Sequence, residues 1–279
     1  MKDEEIRKAV REGYGKIAVQ DARNASGCGL NSCACGCSVG SSEYTVSKAI
    51  GYSDAEISAV PDGANLGLGC GNPTAVASLK EGEVVLDLGS GAGFDCFLAA
   101  DRVGVSGMVI GVDMTAEMIE KARENAKKGG YRNVEFRLGE IENLPVADNM
   151  VNVVISNCVV NLSPDKKRVY EEVFRVLKPG GRIMVSDIAL LKELPAALKG
   201  NMAAYVGCVA GATTREEYLA TVAAAGFKDV EIVNEVNVKG LYDEATVSFG
   251  LTEDEITKEQ LREAGDSMIS MHIQAIKPI

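Results

Sequence analysis

Short apolar runs alternate with helical stripes through the middle of the chain. Val84-Val85-Leu86-Asp87-Leu88 is the first run and Met108-Val109-Ile110-Gly111-Val112-Asp113 the second. Val134 to Leu138, Val151 to Ser156 and Arg182 to Ser186 are the third, fourth and fifth. Continuous apolar runs of this length, separated by helices, predict parallel strands covered on both faces. The helices carry their own signals. Thr115 stands as an N-cap before the stripe Met118, Ile119, Ala122, Ala126, and Gly129-Gly130 stops that helix. Ser163-Pro164 reads as an N-cap followed by proline at the first helical position. Val169, Tyr170, Val173, Phe174 and Leu177 make that helix's apolar face, and Lys178-Pro179-Gly180-Gly181 ends it. Thr214 to Glu217 is a capping-box pattern that opens a helix running to Ala225. Val230 to Val236 and Met268 to Ile276 read as strands that complete the sheet edge. The acidic stretch from Asp243 to Asp266 is an excursion between them. The pattern predicts a doubly wound, mostly parallel α/β sheet.

Ahead of the first strand the texture differs. Residues 2–20 carry a loose helical stripe, Ile6, Val10 and Ile17, interrupted by Gly13 and Gly15. Asn24 to Ser42 is dense in Gly, Ser and Cys and has too little apolar content to hold a core, so it reads as a loop. Ser53-Asp54-Ala55-Glu56 can start a short helix, and Gly63 to Pro73 is a second Gly-rich loop. Three regions are expected: a Cys-rich N-terminal lid over 1–73, a core over 74–195, and a sheet-completing, site-closing C-terminal region over 196–279.

Composition narrows the function. The 279 residues are 46% hydrophobic and 25% charged, a globular balance rather than that of a disordered chain. The net charge is -11, with no local basic stripe to offset it, which argues against nucleic acid. No apolar run approaches the ~20 residues that span a bilayer, and Met1-Lys2-Asp3-Glu4-Glu5 is too charged for a signal peptide. A cytoplasmic monomer that engages neither membrane nor nucleic acid is expected. There is one histidine, His272, which excludes His-pair and multi-His chemistry. There are eight cysteines, Cys28, Cys33, Cys35, Cys37, Cys70, Cys96, Cys158 and Cys208. With no secretory signal they favour metal binding or thiol chemistry over a disulfide framework.

The first strand runs into Gly89-Ser90-Gly91-Ala92-Gly93, where alternate glycines let the backbone turn and a ligand touch the main chain. Asp113 ends the next strand, at the position where a carboxylate accepts both ribose hydroxyls in doubly wound folds. The spacing differs from the dinucleotide fingerprint G-x-G-x-x-G. With Asp87 just before it and Lys178-Pro-Gly-Gly181 before the fifth strand, it resembles the class I S-adenosylmethionine-dependent methyltransferases. Amino-methylating relatives usually carry an Asn/Asp-Pro-Pro-aromatic loop after the fourth strand. Here that loop is Ser156-Asn157-Cys158-Val159-Val160-Asn161-Leu162, and a thiol stands at the substrate end.

Cys70, Cys158 and Cys208 are far apart in the chain, but loops at the carboxyl ends of the strands and an N-terminal lid can bring them together. A single free cysteine reads as a buried small hydrophobe, and Cys96 is read that way. Cys70 and Cys208 sit against glycines, which suits access better than core packing. Three converging thiolates make a soft trigonal site. Structural zinc usually takes four ligands, often in Cys-x-x-Cys pairs, and no such pair exists here. A trivalent thiophilic metalloid fits better. Its lone pair also needs no general base, which agrees with the near absence of histidine.

Asn65 to Pro73, Leu86 to Cys96, Gly111 to Thr115, Ile155 to Asp165 and Gly207 to Gly211 together resemble the arsenite S-adenosylmethionine methyltransferases. The resemblance implies methyl transfer from S-adenosylmethionine to arsenite and methylarsenite, on a class I methyltransferase sheet with an N-terminal lid and a C-terminal extension. It implies arsenic(III) ligation by Cys70, Cys158 and Cys208, with a further functional cysteine in the N-terminal loop. Cys28 is favoured for that role, and Cys33, Cys35 and Cys37 compete with it. It implies a cofactor site of Asp87, Gly89, Ser90, Gly91, Gly93, Asp113, Met114, Thr115, Ile141, Glu142 and Asn157. Glutathione or thioredoxin would return the product to the trivalent state, and an N-terminal cysteine paired with Cys70 would take part through a disulfide. Two alternatives stand beside this reading. One is a methyltransferase for a small organic substrate, which would leave Cys70 and Cys208 dispensable. The other is a non-catalytic metalloid or zinc sensor built on the Cys28–Cys37 cluster.

Overall fold

The computed structural model describes residues 1–19, 43–238, 249–251 and 255–279. It opens with helix α1 (Asp3–Val19), then the short helices α2 (Glu43–Ala49), α3 (Asp54–Ala59) and α4 (Pro73–Val76). The alternating part follows as β1 (Val84–Leu88), α5 (Phe94–Val103), β2 (Met108–Asp113), α6 (Ala116–Gly129) and β3 (Val134–Leu138). It continues through β4 (Val151–Asn157), a single 3₁₀ turn (Val160–Leu162), α7 (Lys166–Val176) and β5 (Leu177–Leu190). The last elements are α8 (Ala196–Lys199), α9 (Met202–Val206), α10 (Arg215–Ala224), β6 (Lys228–Asn237), α11 (Lys258–Ser267) and β7 (Met268–Ile276).

The seven strands form one sheet in the order β3-β2-β1-β4-β5-β7-β6. The first five are mutually parallel, and β7 runs antiparallel to both β5 and β6. One face packs Tyr170, Val173 and Val176 of α7 and Tyr218 and Val222 of α10 against the strands. The other packs Phe97, Ala99 and Ala100 of α5 and Ile119 and Ala122 of α6. The expected doubly wound sheet is therefore what forms, and the two C-terminal strands extend it. The chain order reverses beside β1, where β2 lies on one flank and β4 on the other. That switch point opens a crevice at the strands' carboxyl ends.

Local differences from the sequence reading have local causes. β3 is not a continuous apolar strand. It is an edge, and among its five residues only Phe136 is buried. Helix α7 starts two residues later than Ser163-Pro164 suggests, at Lys166. Asp165 is its N-cap, accepting a hydrogen bond from Arg168 N at 2.9 Å. A carboxylate in that place satisfies an orphan N–H and complements the helix dipole. Ser163 is thereby freed to donate to Glu142 Oε1 at 2.8 Å. Thr115 does N-cap α6, but without a side-chain bond. Lys178 to Gly181 is not a helix stop followed by a gap. The chain pairs Leu177 with Val151, bulges, and re-enters the ladder at Arg182, so β5 is longer than predicted at both ends. The capping box at Thr214 forms as read, and Ser53, expected only to start a short helix, closes a second one with Glu56. Part of the expected acidic excursion is helix α11, which opens on a third capping box at Thr257.

Candidate active site

The cleft at the switch point is built first by β1 and its glycine turn. Asp87, Gly89, Ser90 and Gly91 line it. Gly89, Gly91 and Gly93 all have positive φ, 67°, 52° and 98°. Gly91 is the telling one: a Cβ there would meet nothing within 4 Å, so its backbone faces open space. Gly93 does not line the cleft. It sits at the N-cap of α5, where Phe97 and Phe136 leave no room for a side chain. The Ser90 hydroxyl is buried with no hydrogen-bond partner among the described residues.

The second wall comes from the end of β2. Asp113 accepts from Gly91 N at 3.0 Å and from Thr115 N at 2.8 Å. Burial raises its carboxyl above the usual range, against the pull of those N–H groups. Met114 and Thr115 follow it into the cleft, and Ile141, Glu142 and Asn157 complete the lining. Glu142 is held by Ser163 and by Arg7 Nη2 at 3.2 Å, which ties α1 over the cleft. Arg7 and Tyr14 of α1 line it as well.

The partners of Asn157 escaped the sequence reading. Asn157 Oδ1 accepts from Cys70 N at 3.0 Å, and its Nδ2 donates to Gly71 O at 2.7 Å and to Asp95 Oδ2 at 3.3 Å. Tyr52 also donates to Asp95, at 2.6 Å. Burial pushes the Asp95 carboxyl up to about 6. Asp87 is raised as well, first by burial and then by the nearby Asp95 charge. One amide thus couples the cofactor wall to the Cys70 loop. Only the Asp of Phe94-Asp95 just past the glycine turn hinted at this. Cys96 is buried as expected, and its thiol donates to Asp87 Oδ2 at 3.2 Å.

The three separated cysteines are brought together beside this cleft. Cys70, Cys158 and Cys208 are all buried in one apolar cluster. Cys70 and Cys158 are paired as a disulfide across 88 residues of sequence, with Cα atoms 5.8 Å apart. Cys208 keeps a free thiol that donates to the Cys158 carbonyl at 3.1 Å and lies 3.9 Å from the Tyr14 hydroxyl. Burial pushes this thiol up to about 12. Cys158 and Cys208 line the cleft. Both also have left-handed backbones, φ 59° and 63°, a conformation that side chains adopt rarely and that clusters at functional sites. A carboxylate oxygen of Asp187 lies within 4.8 Å of the Cys70 and Cys158 sulfurs, which nothing in the sequence pattern singled out. Burial pushes the Asp187 carboxyl up to about 6. Cys28, with its competitors Cys33, Cys35 and Cys37, lies outside the described residues. The histidine absent from the chemistry is buried on β7, where it packs against Gly71.

A protein from Halobacterium salinarum named arsenite methyltransferase is 48% identical over 99% of this chain and 67% of its own length. The chain belongs to the arsenite methyltransferases. The methyltransferase-domain family matches residues 79–226. An arsenite methyltransferase from Aquipseudomonas alcaligenes is 41% identical over 60% of this chain, and the chain covers 50% of it. The chain thus spans two thirds of one such relative and half of the other. Among solved structures, an arsenic(III) S-adenosylmethionine methyltransferase from Chlamydomonas reinhardtii superposes with a TM-score of 0.61 at 31% identity, covering 84% of this chain and 73% of its own. The cleft suits the cofactor of this family: an unpartnered Ser90 hydroxyl and the bare Gly91 backbone offer it contacts. Among the described residues no helix is long and apolar enough to cross a membrane.

Proposed function

We propose that this chain transfers the methyl group of S-adenosylmethionine to trivalent arsenic held by Cys70, Cys158 and Cys208. The observation that carries the reading is the convergence of these three cysteines, distant in sequence, at the rim of the cleft that Asp87 and Asp113 line. Soft sulfur donors favour a soft trivalent centre. Arsenous acid exchanges hydroxyls for thiols, and each As–S bond formed releases one water that carries off the thiol proton. That exchange is neutral overall, so it suits an apolar site where burial keeps the Cys208 thiol protonated.

S-adenosylmethionine supplies an electrophilic methyl group on a sulfonium. Asp113 would take the ribose hydroxyls, and Ile141 and Glu142 would flank the adenine. Asp87 and Asn157 lie toward the methionine end, with Asn157 reaching the Cys70 loop. The cysteines aim the arsenic lone pair at the methyl carbon, so no base is required. Holding the reacting atoms ~3–3.5 Å apart supplies much of the rate gain. Methyl transfer raises arsenic from the trivalent to the pentavalent state. A thiol reductant such as glutathione or thioredoxin returns two electrons and is itself oxidised to a disulfide. The same reductant opens the Cys70–Cys158 pair, freeing both thiols for arsenic. Cys28 joins this thiol exchange, residues 1–73 close over the site as a lid, and the protein works as a cytoplasmic monomer.

The test is direct. Purified protein with labelled S-adenosylmethionine, arsenite and a thiol should yield labelled methylarsenicals. No product with arsenite, or equal turnover after Cys158→Ser, would overturn the reading. A small organic substrate would leave Cys70 and Cys208 dispensable, whereas here both are buried beside the cleft.

A further inference from the structure

Cys158 and Cys208 both hold left-handed backbones, which persist only where the surroundings over-determine them. Their loops meet backbone to backbone. Gly211 lies so close to the Asn161 carbonyl that no side chain could fit between them. The Asn161 side is fixed from beneath. Its N–H and Nδ2 donate to Asp187 at 3.2 and 2.9 Å, and Nδ2 also donates to Ile188 O at 2.6 Å. Tyr218 donates to the same carboxylate at 2.9 Å, and Tyr170 backs Tyr218 at 3.0 Å. The Cys208 side has a different anchor. Lys166, at the first position of α7, extends across the gap and donates to Gly211 O at 2.6 Å. It is a partly buried ammonium, with the Asp187 carboxylate near enough to oppose the effect of burial on its charge.

We propose that Lys166 is a positioning residue that fixes the Cys208 turn against the Cys158 loop, and so sets the spacing of two arsenic-binding sulfurs. The inference rests on the proposed arsenic site and adds to it a group that touches neither arsenic nor cofactor. Several features support it. A partly buried lysine costs some desolvation, and its hydrogen bond goes to the turn that carries Cys208. Charge-assisted bonds to a carbonyl are about twice as strong as neutral ones, which suits a clamp on a strained turn. The Asp187 carboxylate nearby balances its charge. Lys166 also opens α7, so the clamp joins the Cys208 turn to a helix packed on the main sheet rather than to another loop.

The experiment compares Lys166→Met, Lys166→Arg and Cys158→Ser in the full chain, reduced with a thiol and then freed of it. Arsenite and S-adenosylmethionine affinities are measured by calorimetry, with a thermal melt on each variant. Lys166→Met should weaken arsenite binding about tenfold or more, while cofactor affinity stays within about twofold. It should also slow arsenite and methylarsenite methylation alike, because Cys158 and Cys208 serve both. Lys166→Arg keeps a cationic donor and should restore most of the arsenite affinity. Wild-type arsenite affinity in Lys166→Met, an equal loss of cofactor affinity, or no rescue by arginine would overturn the proposal. Cys158→Ser separates the two layers. If it binds arsenite normally, the thiolate site itself is wrong; if it fails while Lys166→Met binds normally, only the clamp is wrong.

Discussion

At the residue scale the proposed thiol site would divide its labour by coordination number. Arsenite offers three exchangeable positions and can take three thiolates, whereas methylarsenite has one position filled by carbon and can take two. Cys158 and Cys208 sit on turns at the carboxyl edge of the sheet, and Cys208 reaches the Cys158 carbonyl. Cys70 comes from the segment ahead of β1 and is held through Asn157 and by Ser270, whose hydroxyl donates to Cys70 O at 2.6 Å. Cys70→Ser should therefore lose arsenite methylation but keep methylarsenite methylation. Cys208→Ser should lose both. Assays with each substrate supplied separately decide it, and equal loss in Cys70→Ser would end the division. Cofactor binding should separate just as cleanly. Asp113→Ala removes the acceptor expected for the ribose hydroxyls and should weaken S-adenosylmethionine about 100-fold by calorimetry. Arsenite affinity should be unchanged, since Asp113 lies on the other wall of the cleft.

At the scale of elements, a buried carboxylate on α7 ties that helix to the loop between β3 and β4. Glu172 of α7 accepts from Arg175 Nη2 at 2.7 Å, from Arg175 Nε at 2.8 Å and from the Leu144 N–H at 2.8 Å. It thereby pins the loop that carries Ile141 and Glu142. The Arg175 hydrogen bonds, chiefly, hold its carboxyl below the ordinary value of 4.5. A depressed folded pKa gives stability that is complete above the unfolded value and fades as pH falls through the folded one. Glu172→Gln should thus cost about 2 kcal/mol near neutral pH, and the gap from wild type should close below pH ~4. Denaturant melts of both proteins across that range test it, and a gap independent of pH would assign the loss to packing instead.

For the whole molecule, the Cys70–Cys158 disulfide and the cofactor cleft share Asn157 but not their chemistry. The oxidised protein should bind S-adenosylmethionine normally and arsenite weakly or not at all. Adding a thiol reductant should restore arsenite binding without changing cofactor affinity. Arsenite titrations before and after reduction, with free thiols counted, measure this. Full arsenite binding by the oxidised protein would show that Cys70 and Cys158 are not both ligands.

The sequence alone determined the centre of the sheet, because β1, β2 and β4 are buried on both faces and burial writes continuous apolar runs that need no partner to be recognised. It determined the glycine turn and Asp113 for a similar reason: both are local consequences of a strand ending at a ligand. Resemblance in the segments around Cys70, Cys158 and Cys208 picked out the thiols. What only the tertiary structure decided are contacts between distant segments. Asp187 lies inside an apolar strand and could have been an edge residue. Its place beside two sulfurs follows from the pairing of β4 with β5, which brings the Cys158 N–H to Ser186 O at 2.8 Å. Lys166 reads as one more charge at a helix start until α7 and the Cys208 turn are seen to touch. Asp95, Tyr52 and Asn157 come from three separate segments, and Asp165 rather than Ser163 caps α7, leaving Ser163 to Glu142. Periodicity records which face of an element is buried. It carries no record of which buried polar group meets which, and the thiol site is made of such meetings.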